Sequence, residues 1–208
     1  MLRIAGLFSA GFLLAGQAAV AQDVRITPDL ARLVSSRAGT PIVISRIQDS
    51  DNHLTGEFTR TSRPCPPHCI EPISAAPGVR TVGEVEVLRF LDDHVATGSG
   101  LLLDNRTPDA FAGGSIPGAV NVPDVALAAS NPYRDDILTA LGGTQSNGAW
   151  DFTGALDLTL FCNGPWCDQS GRAVRDLVAA GYPTEKLNYY RGGMQLWLLF
   201  GLTVSDVQ

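Results

Sequence analysis

Apolar and polar positions alternate without regular spacing up to about residue 80, where turn-forming residues are frequent. Residues 41–47 are rich in β-branched side chains and predict a strand. Residues 54–61 are predicted to be the returning strand of a hairpin, because the polar cluster at 49–52 is typical of a turn. Between residues 63 and 77 prolines are too dense for a helix or a central strand, so a rigid cap or linker is expected there.

From residue 81 onward the spacing of apolar residues alternates between that of helices and that of strands. Short apolar runs predict strands at 101–103, 119–122, 157–161 and 187–190. Helical spacing predicts helices over 82–91, 108–112, 172–180 and around Trp197. This alternation predicts an α/β fold, an open parallel sheet with helices on both faces, preceded by a small irregular or β-hairpin N-terminal extension.

The first 21 residues have the features of an export signal. Arg3 supplies a positive start, an apolar run follows, and Ala19-Val20-Ala21 is a small-x-small cleavage site. The run is too short for a membrane span, which needs roughly 20 apolar residues. We therefore expect a signal peptide over 1–21, an extension over 22–80, a main domain over 81–208, and a periplasmic or secreted mature protein without a membrane span.

Charge and composition argue against two classes of binding partner, nucleic acids and anionic membranes. The 208 residues carry a formal net charge of −6, with 45% hydrophobic and 17% charged residues, which is typical of a globular protein. An acidic chain lacks the basic face that nucleic-acid binding requires, so no nucleic-acid partner is expected. Lys186 is the single lysine, which also argues against a polybasic membrane patch.

The strongest chemical signal is a cysteine, Cys162, that directly follows the predicted strand 157–161. In open parallel sheets ligands bind at the carboxyl ends of strands, and a helix start offers free amide N–H groups that stabilise a thiolate or bind an anion. The candidate binding loop consists of Asn163, Gly164, Pro165, Trp166, Cys167, Asp168, Gln169 and Ser170. The alternatives are a buried structural cysteine, or a bridge between Cys162 and Cys167 that only holds the loop together.

Several motifs then occur in an order that resembles the rhodanese family of sulfurtransferases. They are Leu-Leu-Asp-Asn-Arg-Thr-Pro at 102–108, Gly-Ser-Ile-Pro-Gly-Ala-Val-Asn-Val-Pro at 114–123, the segment 179–183 and the segment 190–197. Cys162 matches the family's catalytic cysteine. The whole chain also resembles exported single-domain rhodaneses with an N-terminal Cys-Pro-x-x-Cys segment, here at 65–69.

The resemblance implies a reaction at Cys162. Its thiolate would take the outer sulfur of a thiosulfate-like anion as a persulfide and pass it to a thiol or cyanide, with a periplasmic redox protein among the candidate acceptors. The loop amides would hold the oxyanion, Asp104 and Arg106 would support the strand end, and no cofactor or metal is expected. This hypothesis requires the Cys162 sulfur to be ionised and reachable.

The loop departs from the family in ways that leave other functions open. Ser170 lies eight positions after Cys162, so the loop is longer than usual. Asp168 should weaken anion capture unless Arg172 compensates from the helix start. Cys167 could act as a resolving cysteine. The alternatives are a thiol-disulfide or arsenate-type reductase that uses Cys162 and Cys167, and a non-catalytic rhodanese-like binding module.

Three further residues allow more than one interpretation. Cys65 and Cys69 are expected to form a disulfide, either with each other or with the loop, and a redox or sulfur-relay role is the alternative. Their spacing fits neither a haem attachment site nor a four-ligand zinc site. Trp166 could shield the thiol, contact an acceptor or simply pack.

Overall fold

The chain is described by a computed structural model that covers residues 23–205. The predicted signal peptide lies outside these residues, so export stays a prediction. Within residues 23–205 no helix is long and apolar enough to cross a lipid bilayer.

A β-hairpin opens the described part of the chain. Strand β1 (Arg32–Arg37) pairs antiparallel with β2 (Thr40–Ser45). The turn residues Ala38 and Gly39 have φ values of 46° and 81°, and such turns match the twist of the two strands. The predicted strand at 41–47 is thus present, but the prediction that 54–61 pairs with it is wrong. That segment contains a turn of 3-10 helix at Gly56–Thr59 instead.

A five-stranded sheet forms the centre of the molecule. Its strands are β3 (Arg80–Thr81), β4 (Gly100–Asp104), β5 (Val120–Asn121), β8 (Asp157–Phe161) and β9 (Leu187–Tyr190). They lie in the order β3-β9-β8-β4-β5, and every neighbouring pair is parallel. β8 is the middle strand, so the residue that follows it emerges at the centre of the sheet's carboxyl edge.

Helices cover both faces of this sheet, as the alternating pattern predicts. They are α1 (Glu84–Phe90), which continues as one π-helical turn over Leu91–Val95, α2 (Pro108–Ala112), α3 (Asp124–Leu127), α4 (Arg134–Ala140), α5 (Gln169–Ala179) and α6 (Gly193–Leu199). α1 and α6 pack on one face, in a core that includes Leu102 and Phe161. α3, α4 and α5 pack on the other, with Leu103 and Leu160. Successive strand residues enter opposite cores because side chains alternate along a strand.

Some elements have too weak a pattern for prediction from the sequence. α3 is four residues long, and α4 buries one side chain, that of Leu138. A second hairpin, β6 (Thr144–Ser146) with β7 (Ala149–Asp151), is polar and mostly exposed, and its Asn147-Gly148 turn is the local signal that could have found it.

The N-terminal extension packs along the main domain. Leu33, Ile42 and Ile44 of the first hairpin are buried in the same core as α1 and α6. The Ile47 amide then donates to the Gly201 carbonyl at 2.7 Å, which fixes the outgoing chain beside the end of α6. From there the extension reaches the carboxyl edge of the sheet.

Candidate active site

The loop after β8 is held by the start of α6. The Met194 amide donates to the Cys162 carbonyl at 3.0 Å, and the Gln195 amide donates to the Asn163 carbonyl at 2.8 Å. Gly193 has a φ of 54°, and a Cβ there would collide with the Cys162 carbonyl oxygen. Only glycine therefore allows the two segments to approach so closely.

The middle of the loop forms a tight turn and is hydrogen-bonded to α6, which is in turn hydrogen-bonded to the extension. The Cys167 amide donates to the Gly164 carbonyl at 2.9 Å and closes the turn. The Trp166 indole N–H donates to Gln195 Oε1 at 3.4 Å, and Gln195 Nε2 donates to the Phe58 carbonyl at 2.9 Å. Gln195 thus links the loop to the extension through hydrogen bonds. The local sequence pattern does not predict this role, because it shows only that Gln195 lies in a helix.

The two loop cysteines are joined in a disulfide. Cys162 is 2% exposed and Cys167 is 7% exposed, so both sulfurs are covered in this oxidised form. The requirement for a reachable Cys162 thiolate is not met here, because the sulfur is bonded to its neighbour. Reduction of the bridge is needed before Cys162 can act as a nucleophile.

Cys162 nevertheless has a polar partner that suits a sulfur anion. The Ser170 hydroxyl donates to Cys162 Sγ at 3.1 Å, and Ser170 is buried in the first turn of α5. This helix begins at Gln169, earlier than the predicted residue 172. The first amide N–H groups of a helix have no partner within it and carry positive partial charge. Ser170 and the helix start therefore both favour negative charge on Cys162.

Arg172 is shared between two carboxylates beside the loop. Its guanidinium lies 2.6 Å from Asp124 and also contacts Asp168, so the three side chains together keep a net negative charge. Burial alone would lower the pKa of Arg172, but hydrogen bonds and charge attraction from Asp124 and Asp168 raise it. Because Asp124 and Asp168 both pair with this guanidinium, an added anion would have to compete with two carboxylates for Arg172.

Asp104 and Arg106 form a closed structural unit at the end of β4. The buried Asp104 carboxylate accepts from the Arg106 backbone N–H at 3.0 Å, from Arg106 Nη2 at 2.6 Å and from the Ser115 hydroxyl at 2.7 Å. Arg106 Nη2 also donates to the Gly114 carbonyl at 2.7 Å. The Asp104 carboxylate and the Nε and Nη2 groups of Arg106 are thus bonded to each other and to residues 114–115, which supports the structural role that the resemblance implies.

The proline-rich segment lies against the loop as a cap. Cys65 and Cys69 are bonded to each other, so the predicted disulfide lies within the segment and does not reach the loop. The Glu71 amide donates to the Pro165 carbonyl at 2.8 Å. The His68 ring packs edge-on against Trp166, with ring centroids 5.4 Å apart. Trp166 therefore packs under the cap.

One residue of the cap that contacts the loop, Arg63, was not among the site residues predicted from the sequence. The Arg63 guanidinium carbon lies 3.7 Å from the centroid of the Trp166 ring, a cation–π contact. Nothing in the local pattern around Arg63 marks it as a site residue, because about one hundred positions separate it from Trp166.

Two cavities lie along the junction between cap and loop. One, of about 420 Å³, is lined by Arg63, Arg106, Met194 and others. The second, of about 500 Å³, is lined by Cys69, Cys167, Arg172 and others. His68, Asn163 and Trp166 line both. The cap and the loop thus enclose space for a small molecule on either side of Trp166.

Comparison with known proteins places this site within a described family. The model of the rhodanese-like domain matches residues 87–199, a span that contains the whole loop. The HTH-type transcriptional regulator Rv0324 of Mycobacterium tuberculosis (strain ATCC 25618 / H37Rv) is 32% identical over 105 residues. That match covers 50% of this chain and 37% of the regulator, so the chain spans well under half of that relative's length.

Solved structures with a similar fold include two sulfurtransferases. The human single-domain sulfurtransferase TSTD1 is 23% identical, with 58% of this chain and 96% of that chain covered and a TM-score of 0.39. A thiosulfate sulfurtransferase from Pseudomonas aeruginosa is 22% identical, with 65% of this chain and 22% of that chain covered and a TM-score of 0.43.

Proposed function

Since the chain belongs to the family of rhodanese-like domains, we propose that it is an exported sulfurtransferase that uses Cys162 as its nucleophile. Its substrates in this proposal are a thiosulfate-like donor and a thiol or cyanide acceptor. The observation that carries the proposal is the Ser170 hydroxyl on Cys162 Sγ, at the carboxyl end of the central strand and the start of α5. This arrangement favours a thiolate where ligands bind in open parallel sheets.

The first half-reaction moves one sulfur atom to the protein. The reduced Cys162 thiolate attacks the outer sulfur of thiosulfate, the S–S bond of the donor breaks, and sulfite leaves with the bonding electron pair. The product is a Cys162 persulfide. Amide N–H groups at the start of α5 stabilise the negative charge that develops on the donor during this step.

The second half-reaction depends on the acceptor. Cyanide attacks the outer sulfur of the persulfide, takes it as thiocyanate and leaves the Cys162 thiolate. A thiolate acceptor takes the same sulfur and becomes a persulfide itself. Either route returns the protein to its starting state without oxidising it.

Cys167 offers a competing route that accounts for the bridge. Its thiolate attacks the inner sulfur of the Cys162 persulfide, hydrosulfide leaves, and a Cys162–Cys167 disulfide forms. The donor's sulfane sulfur is reduced and the two cysteines are oxidised, so an external thiol reductant must open the disulfide before the next turnover.

A thiol-disulfide reductase is the second candidate, and the same disulfide favours it. In that function Cys162 and Cys167 cycle between dithiol and disulfide without a persulfide. A non-catalytic binding module would show neither chemistry.

A thiocyanate assay on reduced full-length protein tests these functions. We expect wild type to convert thiosulfate and cyanide to thiocyanate, and Cys162→Ser to be inactive. Cys167→Ser serves as the control and should stay active, because it removes the other loop thiol and keeps Cys162. Equal activity of wild type and Cys162→Ser would refute the proposal. An inactive wild type that still reduces a model disulfide would support the reductase.

A further inference from the structure

An anionic donor needs positive charge that the loop itself does not supply. Residues 163–170 contain neither arginine nor lysine, and they include Asp168. Thiosulfate and related donors are anions, and their oxygens bind best to charged N–H donors. The cation for this site must therefore come from another segment of the chain.

The two arginines of the sequence-based site are already paired with carboxylates. Arg172 is shared between Asp124 and Asp168. Arg106 is held by the buried Asp104 carboxylate at 2.6 Å. Moving either of them toward a ligand would leave a buried carboxylate unpaired, which is costly.

In the described part of the chain, Arg63 of the cap has no buried carboxylate as partner. Its Nη2 donates to the Glu57 carbonyl, but its side chain is 5% exposed and its Nε finds no hydrogen-bond partner within residues 23–205. The guanidinium stacks on Trp166 and lines the cavity of about 420 Å³, together with Asn163, the residue directly after Cys162. A buried cation with an unused donor beside the nucleophile's loop is suited to binding an anion.

The acidic partner of Arg63 does not satisfy it. Glu57 Oε2 lies 3.4 Å from Arg63 Nη1 and 3.1 Å from Arg60 Nη1, and the Glu57 side chain is 70% exposed. The Arg60 hydrogen bond, and the weaker contribution of Arg63, lower the pKa of Glu57, so it stays ionised at neutral pH. An exposed carboxylate shared between two arginines is easily exchanged for a ligand.

We propose that Arg63 binds the oxyanion group of the sulfur donor in the 420 Å³ cavity beside Trp166, so that the N-terminal extension completes the substrate site. The identity of the anion as a sulfur donor rests on the proposed function. The Trp166 ring holds the Arg63 guanidinium against the loop. The cap, to which Arg63 belongs, brings the guanidinium to this position.

Steady-state kinetics on the reduced full-length chain test the proposal. We expect Arg63→Gln to raise the KM for thiosulfate by about tenfold or more, the effect of losing one charge-assisted hydrogen bond, while kcat changes less than about threefold. Arg25→Gln removes the same charge from an exposed part of the extension and should leave KM within about twofold. An unchanged KM in Arg63→Gln would overturn the proposal.

Two more variants test whether misfolding, and not loss of anion binding, explains a raised KM in Arg63→Gln. Glu57→Gln removes the competing carboxylate and should lower the KM for thiosulfate by about two- to fivefold, a gain that damage to the fold would not produce. Arg63→Lys keeps the charge and should recover part of the affinity lost in Arg63→Gln. If Glu57→Gln leaves KM unchanged and Arg63→Lys binds no better than Arg63→Gln, Arg63 has only a packing role.

A binding measurement separates this inference from the proposed function. Calorimetric titration of thiosulfate into Cys162→Ser, with and without Arg63→Gln, requires no turnover. Binding that is lost with Arg63→Gln supports the anion site even if wild type makes no thiocyanate. Equal binding by both proteins, or no binding by either, overturns the inference even if wild type is an active sulfurtransferase.

Discussion

The Ser170 hydroxyl donates a hydrogen bond to the Cys162 sulfur at 3.1 Å, and both residues are buried, one at each end of the loop. The contact joins the end of the central strand to the first turn of α5. It matters most when Cys162 is reduced, because a hydroxyl donor then stabilises the thiolate. The consequences of this contact can be measured.

Replacing Ser170 with alanine should slow sulfur transfer. A hydrogen bond to a charged group contributes about 1.5–3 kcal/mol, so kcat/KM for thiosulfate should fall by about ten- to a hundredfold. Ser115→Ala is the matched control, since that buried hydroxyl donates to Asp104 and not to a sulfur. Its activity per folded molecule should stay within about threefold of wild type. A Ser170→Ala rate equal to wild type would remove the hydroxyl from the mechanism.

Replacing Cys167 with serine should trap the persulfide. Without the second thiol, the Cys162 persulfide formed with thiosulfate has no partner in the loop and should persist, giving a protein about 32 Da heavier by mass spectrometry. Reduced wild type under the same conditions should release hydrosulfide and become about 2 Da lighter than its dithiol form. A Cys167→Ser protein that gains no mass would argue for a reductase or a binding module.

Replacing Asp104 with asparagine should reduce stability more than it affects chemistry. Arg106 would remain buried without its carboxylate, and breaking a buried ion pair costs about 3–5 kcal/mol. The free energy of unfolding in urea measures this loss. Asp135→Asn, on the exposed first turn of α4, is the control and should change stability by less than about 0.5 kcal/mol. Equal stability of the two variants would show that the pair is not structural.

Stability should fall in alkali because of buried tyrosines. Burial raises the pKa of Tyr182 and of Tyr190, and the negative charges of Asp157 and Glu84 respectively add to the effect. Each folded-state pKa exceeds the unfolded value of about 10, so this stabilisation is complete below pH 10 and is lost as pH rises above it. The expected slope is about 1.4 kcal/mol per pH unit for each tyrosine.

The measurement is urea unfolding between pH 9 and pH 11.5. The alkaline slope should become shallower in Tyr190→Phe, whereas the exposed Tyr133→Phe should match wild type. Tyr189, whose pKa burial also raises, contributes to the slope in both proteins, and lysine contributes little because Lys186 is the single lysine. An unchanged slope in Tyr190→Phe would contradict the assignment.

Local sequence pattern was sufficient for the parts of the site that lie close together in the chain. The apolar run at 157–161 is β8, the following cysteine lies at the carboxyl edge, and the spacing of residues after it gives α5. The same holds for α2 at Pro108–Ala112 and β9 at Leu187–Tyr190, which match the predicted bounds. Side-chain periodicity follows directly from backbone geometry, so it needs no knowledge of distant segments.

Partners across long stretches of chain could not be predicted in this way. The strand at 41–47 pairs with the preceding segment and not the following one, because the Ala38-Gly39 turn adopts the required positive φ values. Asp124 was missed as a partner of Arg172, since the start of α3, where Asp124 lies, meets α5 only in the folded molecule.

The sequence by itself determined the alternation of helices and strands, the place of Cys162 at a strand end, and the family resemblance of the motifs around it. The tertiary structure decided that the two loop sulfurs are bonded, that Arg172 and Arg106 are paired with carboxylates, and that Arg63 of the extension lies on Trp166. Apolar periodicity specifies which face of an element is buried. It does not specify which distant segment covers that face, because this depends on how complete surfaces fit together.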